Sequence, residues 1–285
     1  MNRLLCYLSV ILFVLVVSSC GKKSDDDSNT TPIPTLLSKA MVWNAAEPQK
    51  SIQIIEFKYD DLKRVTEIAY SAGDSVNGTI QQSFVRSKKC YYNGDEKNPY
   101  KTTGFLLPLG YPSGDVYHYY DNTGLLIRDS TGTWRVNVGY YKREFAWFTD
   151  KITMTNTDIY SGFPRQSKDS MVIHNNIITQ SFTNTTLAGS IDGYQYKYDN
   201  MINPLSKLNI AAFTITDGMD GFLAPGFCKN NITEMTKGYS TGAGTFTVTS
   251  TATFKYTYND AGLPVERQNV SGSPYKSITK YYYLD

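Results

Sequence analysis

The chain holds two histidines, His118 and His174, and neither has a cysteine or carboxylate at the spacing a zinc site needs. His118 stands in Tyr117-His118-Tyr119-Tyr120, where strand alternation would put the tyrosines on the core side and turn the imidazole to water. Gly238-Tyr239-Ser240-Thr241-Gly242 matches the Gly-x-Ser-x-Gly nucleophile elbow, but that device needs a helix after the serine and a histidine further along the chain. Both histidines precede Ser240 and a Gly/Thr-rich strand follows it, so the segment reads as a turn. Asp217-Gly218-Met219-Asp220-Gly221 has carboxylates for calcium but lacks the Asp-x-Asp-x-Asp-Gly spacing and the distal Glu of an EF loop, and it too reads as a turn. A glycoside hydrolase is defined by two carboxylates about 5–10 Å apart in space, and nothing in the sequence selects a pair. No catalytic set, metal or cofactor is therefore assigned. Trp43, Trp134 and Trp147, with Tyr111 near Pro108 and Pro112, are the aromatic residues best suited to serve as ligand platforms.

The elements that must carry these residues are strands. Ile55, Phe57 and Tyr59 alternate with Glu56 and Lys58, and Trp134, Val136, Val138 and Tyr140 alternate with Arg135, Asn137 and Gly139. From Phe246 to Tyr258 every second residue (Phe246, Val248, Ser250, Ala252, Phe254, Tyr256, Tyr258) faces threonines and one lysine. One-sided patterning of this kind predicts antiparallel strands with one face on a core and the other in water. Many of the 23 tyrosines fall in such rows and read as cross-strand pairs that hold the sheet together. Weak helical spacing occurs only from Asn203 to Phe213. The 28 basic and 26 acidic residues nearly cancel, with no basic cluster to serve nucleic acid as a footprint.

One phrase recurs. Phe57-Lys58-Tyr59-Asp60, Tyr117-His118-Tyr119-Tyr120-Asp121, Tyr194-Gln195-Tyr196-Lys197-Tyr198-Asp199 and Phe254-Lys255-Tyr256-Thr257-Tyr258-Asn259-Asp260 each end a strand in a polar turn. Two of them continue as Asn122-Thr123-Gly124-Leu125 and Ala261-Gly262-Leu263, in which Asp or Asn caps the turn and Gly accepts positive φ. The first copy runs Asp61-Leu62-Lys63-Arg64-Val65 without glycine, which predicts a turn of another type. Tyr92-Asn93-Gly94-Asp95-Glu96-Lys97-Asn98-Pro99 and Tyr198-Asp199-Asn200-Met201-Ile202-Asn203-Pro204 end in Asn-Pro, which sends the chain into longer loops. These phrases resemble the YD repeats of Rhs-type shell proteins. With Lys229-Asn230-Asn231, they resemble still more closely a group of Bacteroidota lipoproteins of unknown function with a porin-like β fold. The copies are unevenly spaced, so a solenoid is not implied. The expected architecture is all-β: a meander of antiparallel hairpins over residues 36–285, forming one curled or barrel-like domain. Its lysine-bearing outer faces have no apolar band of the kind a membrane-spanning barrel shows to lipid.

Residues 1–19 read as an export signal: Asn2-Arg3, then an apolar run from Leu4 to Val17, too short for the roughly 20 residues of a membrane span. Val17-Ser18-Ser19-Cys20 resembles the lipobox of bacterial lipoproteins, which implies cleavage before Cys20 and a lipid on its thiol, so that the membrane itself is a partner. Residues 20–35 are polar and are expected to form a disordered tether. Lys22-Lys23-Ser24-Asp25-Asp26-Asp27 is either a solvated charge run or, by resemblance, the acidic signal with which Bacteroidota send lipoproteins to the outer face of the outer membrane. Cys90 and Cys228 remain, and an oxidising envelope permits them to pair, while two buried thiols are the alternative. Asp74-Ser75-Val76, Asp129-Ser130-Thr131 and Asp169-Ser170-Met171 match the Asp-Ser/Thr-apolar acceptor that Bacteroidota use for O-glycosylation, which would place glycans on Ser75, Ser130 and Ser170 in surface hairpins.

These readings leave three functions open: a noncatalytic module that binds a glycan or an envelope protein, a glycan hydrolase with an unidentified carboxylate pair, and a structural envelope scaffold.

Overall fold

A computed structural model describes residues 36–107, 111–131, 140–160, 163–175, 177–184, 190–208, 228–241, 245–271 and 276–284. Within the unit Pro34–Asp285 the described strands are β1 (Leu37–Asn44), β2 (Ile52–Tyr59), β3 (Val65–Val76), β4 (Thr79–Tyr91), β5 (Lys101–Leu107), β6 (Tyr111–Tyr120), β7 (Leu126–Thr131) and β8 (Tyr140–Trp147). They continue with β9 (Lys151–Tyr160), β10 (Phe163–His174), β11 (Ile177–Asn184), β12 (Ser190–Ile202), β13 (Asn230–Thr241), β14 (Thr245–Tyr258), β15 (Pro264–Ser271) and β16 (Ser277–Tyr283). Each strand pairs antiparallel with its neighbours in sequence, and β1 pairs with β16, so the meander closes into a barrel with no free edge. The expected all-β meander is thus a closed barrel.

Directly paired residues share a face, so the ladders sort every side chain to one wall. Leu205 and Leu208, from the connection between β12 and β13, pack with Ile55, Phe57, Ile68 and Cys90 of β2 to β4, on the far side of the ring. That contact crosses the interior and identifies the inner wall. The pairs Ile55 with Tyr70 and Tyr70 with Arg86 belong to it, whereas Lys58 with Glu67 and Glu67 with Lys89 face out. A second inner cluster joins Leu126, Phe145, Ile152 and Met154 of β7 to β9. The outer wall carries ion pairs such as Lys58–Glu67, Lys101–Asp115, Lys142–Glu144 and Lys197–Glu234.

The repeated phrase builds one end of the barrel. Asp60, Asp121 and Asn259 each donate their amide N–H four residues on, to Arg64, Leu125 and Leu263, and accept one at the carbonyl from Lys63, Gly124 and Gly262. Their side-chain oxygens take the next free amides: Asp60 that of Arg64, Asp121 those of Thr123 and Leu125, Asn259 those of Ala261 and Leu263. The first copy was expected to use another turn, and it does not. Lys63 adopts φ of 60° where the others place Gly124 and Gly262. The Arg64 guanidinium steadies that loop by donating to Asp60 and to the carbonyls of Gly94 and Glu96.

At the same end an aromatic side chain closes the open end of seven hairpins. Tyr59, Tyr92, Tyr120, Tyr198, Tyr256 and Tyr283 donate their hydroxyls to the carbonyls of Leu37, Val65, Pro99, Ile178, Ile232 and Pro264, at 2.5–3.0 Å. Trp147 does the same through its indole N–H to Leu126. Each acceptor lies at or beside the first residues of the preceding strand, so the side chain satisfies a main-chain carbonyl where the strand begins. These six tyrosines therefore point inward.

Two expectations fail at irregularities. The row from Phe246 to Tyr258 does not keep one face: Lys237 pairs with Ser250 while Gly238 pairs with Val248, so a bulge at Thr249 turns Phe246 and Val248 outward. Gly238 and Ser240 belong to β13 and are not in a turn. The short helix is a single 3-10 turn, Pro204–Lys207, capped by the Asn203 side chain on the Leu205 amide. The segments 132–139 and 217–221 read above lie outside the described residues.

Candidate binding site

The inner wall carries a chain of polar groups from β5 to β10. Thr102 Oγ1 lies 3.1 Å from His118 Nε2, His118 is paired with Asp129, Asp129 with Arg143, Arg143 with Asn156 and Asn156 with Ser167. Arg143 Nε donates to Asp129 Oδ1 at 2.9 Å, and Asn156 Nδ2 donates to Ser167 Oγ and to Asp169 Oδ2. The expectation that His118 faces water is overturned, because Tyr117 and Tyr119 take the outer face and the imidazole is 5% exposed. Burial, followed by the cations of Lys88 and Arg143, pushes its pKa down to about 3. Burial also lowers Lys88 to about 8 and raises Asp129, against which Arg143 and Lys88 pull. Asp129 has no exposed surface at all. A neutral imidazole beside an enclosed ion pair has no access to a substrate in water, and the arrangement works as a polar strut across six strands.

Both thiols are free and buried, so the disulfide weighed for Cys90 and Cys228 is absent. At least six strands separate β4 from β13 in either direction round the barrel. Cys90 sits in the inner cluster, where burial pushes its thiol up to about 12. Cys228 donates to the Tyr198 hydroxyl and accepts the Ile178 amide.

The expected platforms divide. Trp147 is a packed inner residue with its indole N–H spent on Leu126. Trp43 is on the outer wall under the Lys280 ammonium, 5.9 Å from its ring. Trp134 and the side chain of Tyr111 lie outside the described part. Ser130 and Ser170 are in strands rather than hairpin turns, and Ser75 is next to the turn after β3. His174 ends β10 and is exposed.

What sequence reasoning missed is a cavity of about 510 Å³ lined from β9 to β13 by residues that include Thr153, Thr155, Lys168, Ser170, Phe182 and Ile191. Ser170 pairs with Thr153 and Phe182, Lys168 with Thr155, and Phe182 with Gly193, all on the face opposite Asp169 and Met154, so the cavity opens on the outer wall. Ser240, paired with Ile191, completes it. Asp169 contributes from β10, but its carboxylate turns inward to Asn156. Phe246, aimed outward by the bulge, meets Phe182 edge to face at 6.4 Å. The cavity therefore offers hydroxyls, one ammonium and an aromatic surface. Among the described residues no three His, Cys, Asp or Glu side chains are grouped to hold a metal ion.

The architecture that these ladders define is a closed antiparallel barrel of the porin-like kind. A porin-like protein from Bacteroides uniformis ATCC 8492 is similar over 88% of this chain and 99% of its own, with a TM-score of 0.55 at 10% identity. Another, from Bacteroides vulgatus ATCC 8482, has the same coverage, a TM-score of 0.53 and 12% identity. No protein-family model matches the sequence. No curated protein matches it.

Proposed function

We propose that the chain is a lipid-anchored, noncatalytic envelope module whose barrel binds a glycan or another envelope protein on its outer wall. The observation that carries this reading is the outer wall itself: it carries ion pairs and hydroxyls, and a cavity opens on it, while His118, Asp129 and Arg143 on the inner wall are enclosed. Such a wall suits water, and attachment to a membrane then falls to the lipid expected on Cys20. The outer membrane is the proposed location, supported by the resemblance of the segment after Cys20 to an acidic export signal. The end of the barrel where β1 begins also exposes Leu62, Leu125, Phe148, Ile202 and Leu284, and an apolar rim there fits a membrane-proximal position. A hydrolase is less well supported, because among the described residues Asp169 is the sole carboxylate along the cavity and it turns away. Two measurements test the reading on the full chain. Radiolabelled palmitate should enter the wild type and not Cys20→Ala, and the detergent-solubilised protein should retain ligand from a glycan array or an envelope-protein pulldown. Retention of neither class of ligand would leave a scaffold as the better account.

A further inference from the structure

We propose that the outer-wall cavity between β9 and β13 is a carbohydrate subsite for an acid-bearing pyranose, with Phe182 and Phe246 as its stacking surface and Lys168 as the partner of the sugar carboxylate. This rests on the binding function above and supplies its site and ligand class.

Three observations converge. The first is how the aromatic surface is made. A Cβ on Gly193 would stand 2.7 Å from Phe182 Cδ1, and one on Gly238 would stand 2.7 Å from Phe246 Cε1 and Cζ. Each ring thus lies across a glycine of the neighbouring strand, which no larger residue could occupy without displacing it. The bulge at Thr249 brings the second ring, together with Val248, to this wall. Val248 is 55% and Ile191 37% exposed beside the two rings. An aromatic and aliphatic floor of this kind accepts the C–H face of a pyranose.

The second is the hydroxyl rim. Thr153, Thr155, Ser170 and Ser240 line the same cavity, and hydroxyls, which donate and accept, match the mixed donors and acceptors of a sugar edge. About 510 Å³ falls within the roughly 300–1,000 Å³ of small-molecule sites.

The third is charge. Lys58, Lys101, Lys142 and Lys197 each pair with a carboxylate on the outer wall. Lys168 lines the cavity, is exposed, and forms no ion pair among the described residues, and the nearest acid in sequence, Asp169, is committed to the other face. A cation left over in a hydroxyl-rich cavity selects an anionic sugar, of the uronic type, over its neutral counterpart.

The test uses the full lipid-bearing chain in detergent, with hexasaccharides of galacturonic acid, mannuronic acid and hyaluronan as probes, galactose and glucose hexasaccharides as neutral counterparts, and a pulldown of envelope proteins alongside. The expected result is binding of at least one acidic probe that weakens with salt, falls about tenfold in Lys168→Gln to the level of the neutral counterpart, and is lost in Phe182→Ala. Ser240→Trp, which fills the cavity without opening the sheet, should also abolish it, while Trp43→Ala leaves it intact. Circular dichroism of each variant separates lost binding from lost folding. Undiminished binding of an acidic probe in Lys168→Gln, Phe182→Ala and Ser240→Trp would overturn the subsite and leave the binding function standing. Equal affinity of wild type for acidic and neutral probes would overturn the role of Lys168. Retention of a protein but no sugar would overturn this inference alone, and retention of nothing would overturn both.

Discussion

Replacing Asp129 by alanine removes the carboxylate from an ion pair in which Asp129 is fully enclosed and the Arg143 side chain is 11% exposed. The guanidinium then stays in the barrel interior without the oxygen, 2.9 Å away, that accepted from its Nε. Breaking a buried pair from one side costs about 3–5 kcal/mol, because the surviving charge loses its partner and cannot reach water. Replacing both members by apolar residues of similar volume removes the charge altogether and is about neutral. Asp129→Ala should therefore lower the stability of the barrel by roughly 3–5 kcal/mol, and Asp129→Leu with Arg143→Met should recover most of that. Equilibrium unfolding in urea at pH 7, followed by far-ultraviolet circular dichroism, measures both. A single substitution that costs under about 1 kcal/mol would show that the pair is hydrated and the inner wall open. A double variant as unstable as the two single losses added together would show that the two residues do not act as a pair.

Lys63→Gly should stabilise by about 0.5–1 kcal/mol, since relief of φ at 60° exceeds the extra freedom that glycine gives the unfolded chain; an unchanged or lowered urea midpoint would contradict the turn geometry. The buried His118 has a folded pKa of about 3 against 6.5 when free, so between those values the unfolded chain holds the extra proton. Its contribution is complete above 6.5 and is lost as pH falls to about 3, with a slope of up to about 1.4 kcal/mol per pH unit. In His118→Gln that part of the acid sensitivity should vanish, and an identical acid profile would refute it. Thiol titration of the mature protein should find Cys90 and Cys228 unreactive when folded and both reactive in denaturant without reductant; a mature chain with no titratable thiol in denaturant would mean the two are joined.

Alternation made the strands legible, and the hairpins at Asp60, Asp121 and Asn259 are where they were expected, because a capped turn depends on a few adjacent residues, whereas the copy ending at Asp199 makes no tight turn and β12 runs on to Ile202. Closure was less legible. The pairing of β1 with β16 joins residues such as Ala40 and Tyr281 from opposite ends of the domain, and no local pattern encodes that register. Asn77-Gly78, with φ of 52° and 78°, forms the tight turn between β3 and β4, and that dipeptide was a readable hairpin signal that went unused. His118 misled because Tyr117, Tyr119 and Tyr120 cannot all share a face: plain alternation puts Tyr120 inward with His118 and turns Tyr117 and Tyr119 outward. The cavity was hidden for a similar reason. Its aromatic floor depends on a one-residue bulge that flips Phe246 and Val248, and on two glycines whose neighbours only the paired strands reveal.

The proposed function requires a barrel that stands in water and is held to a membrane only by a lipid on Cys20. Residues 36–285, exported behind an ordinary cleavable signal in place of residues 1–35, test it most directly. The account predicts that this form is recovered from the periplasm without detergent, remains monodisperse in buffer with a strand-rich circular dichroism spectrum, and does not float with liposomes. Recovery solely from detergent-extracted membranes would contradict it, and so would spontaneous insertion into lipid vesicles.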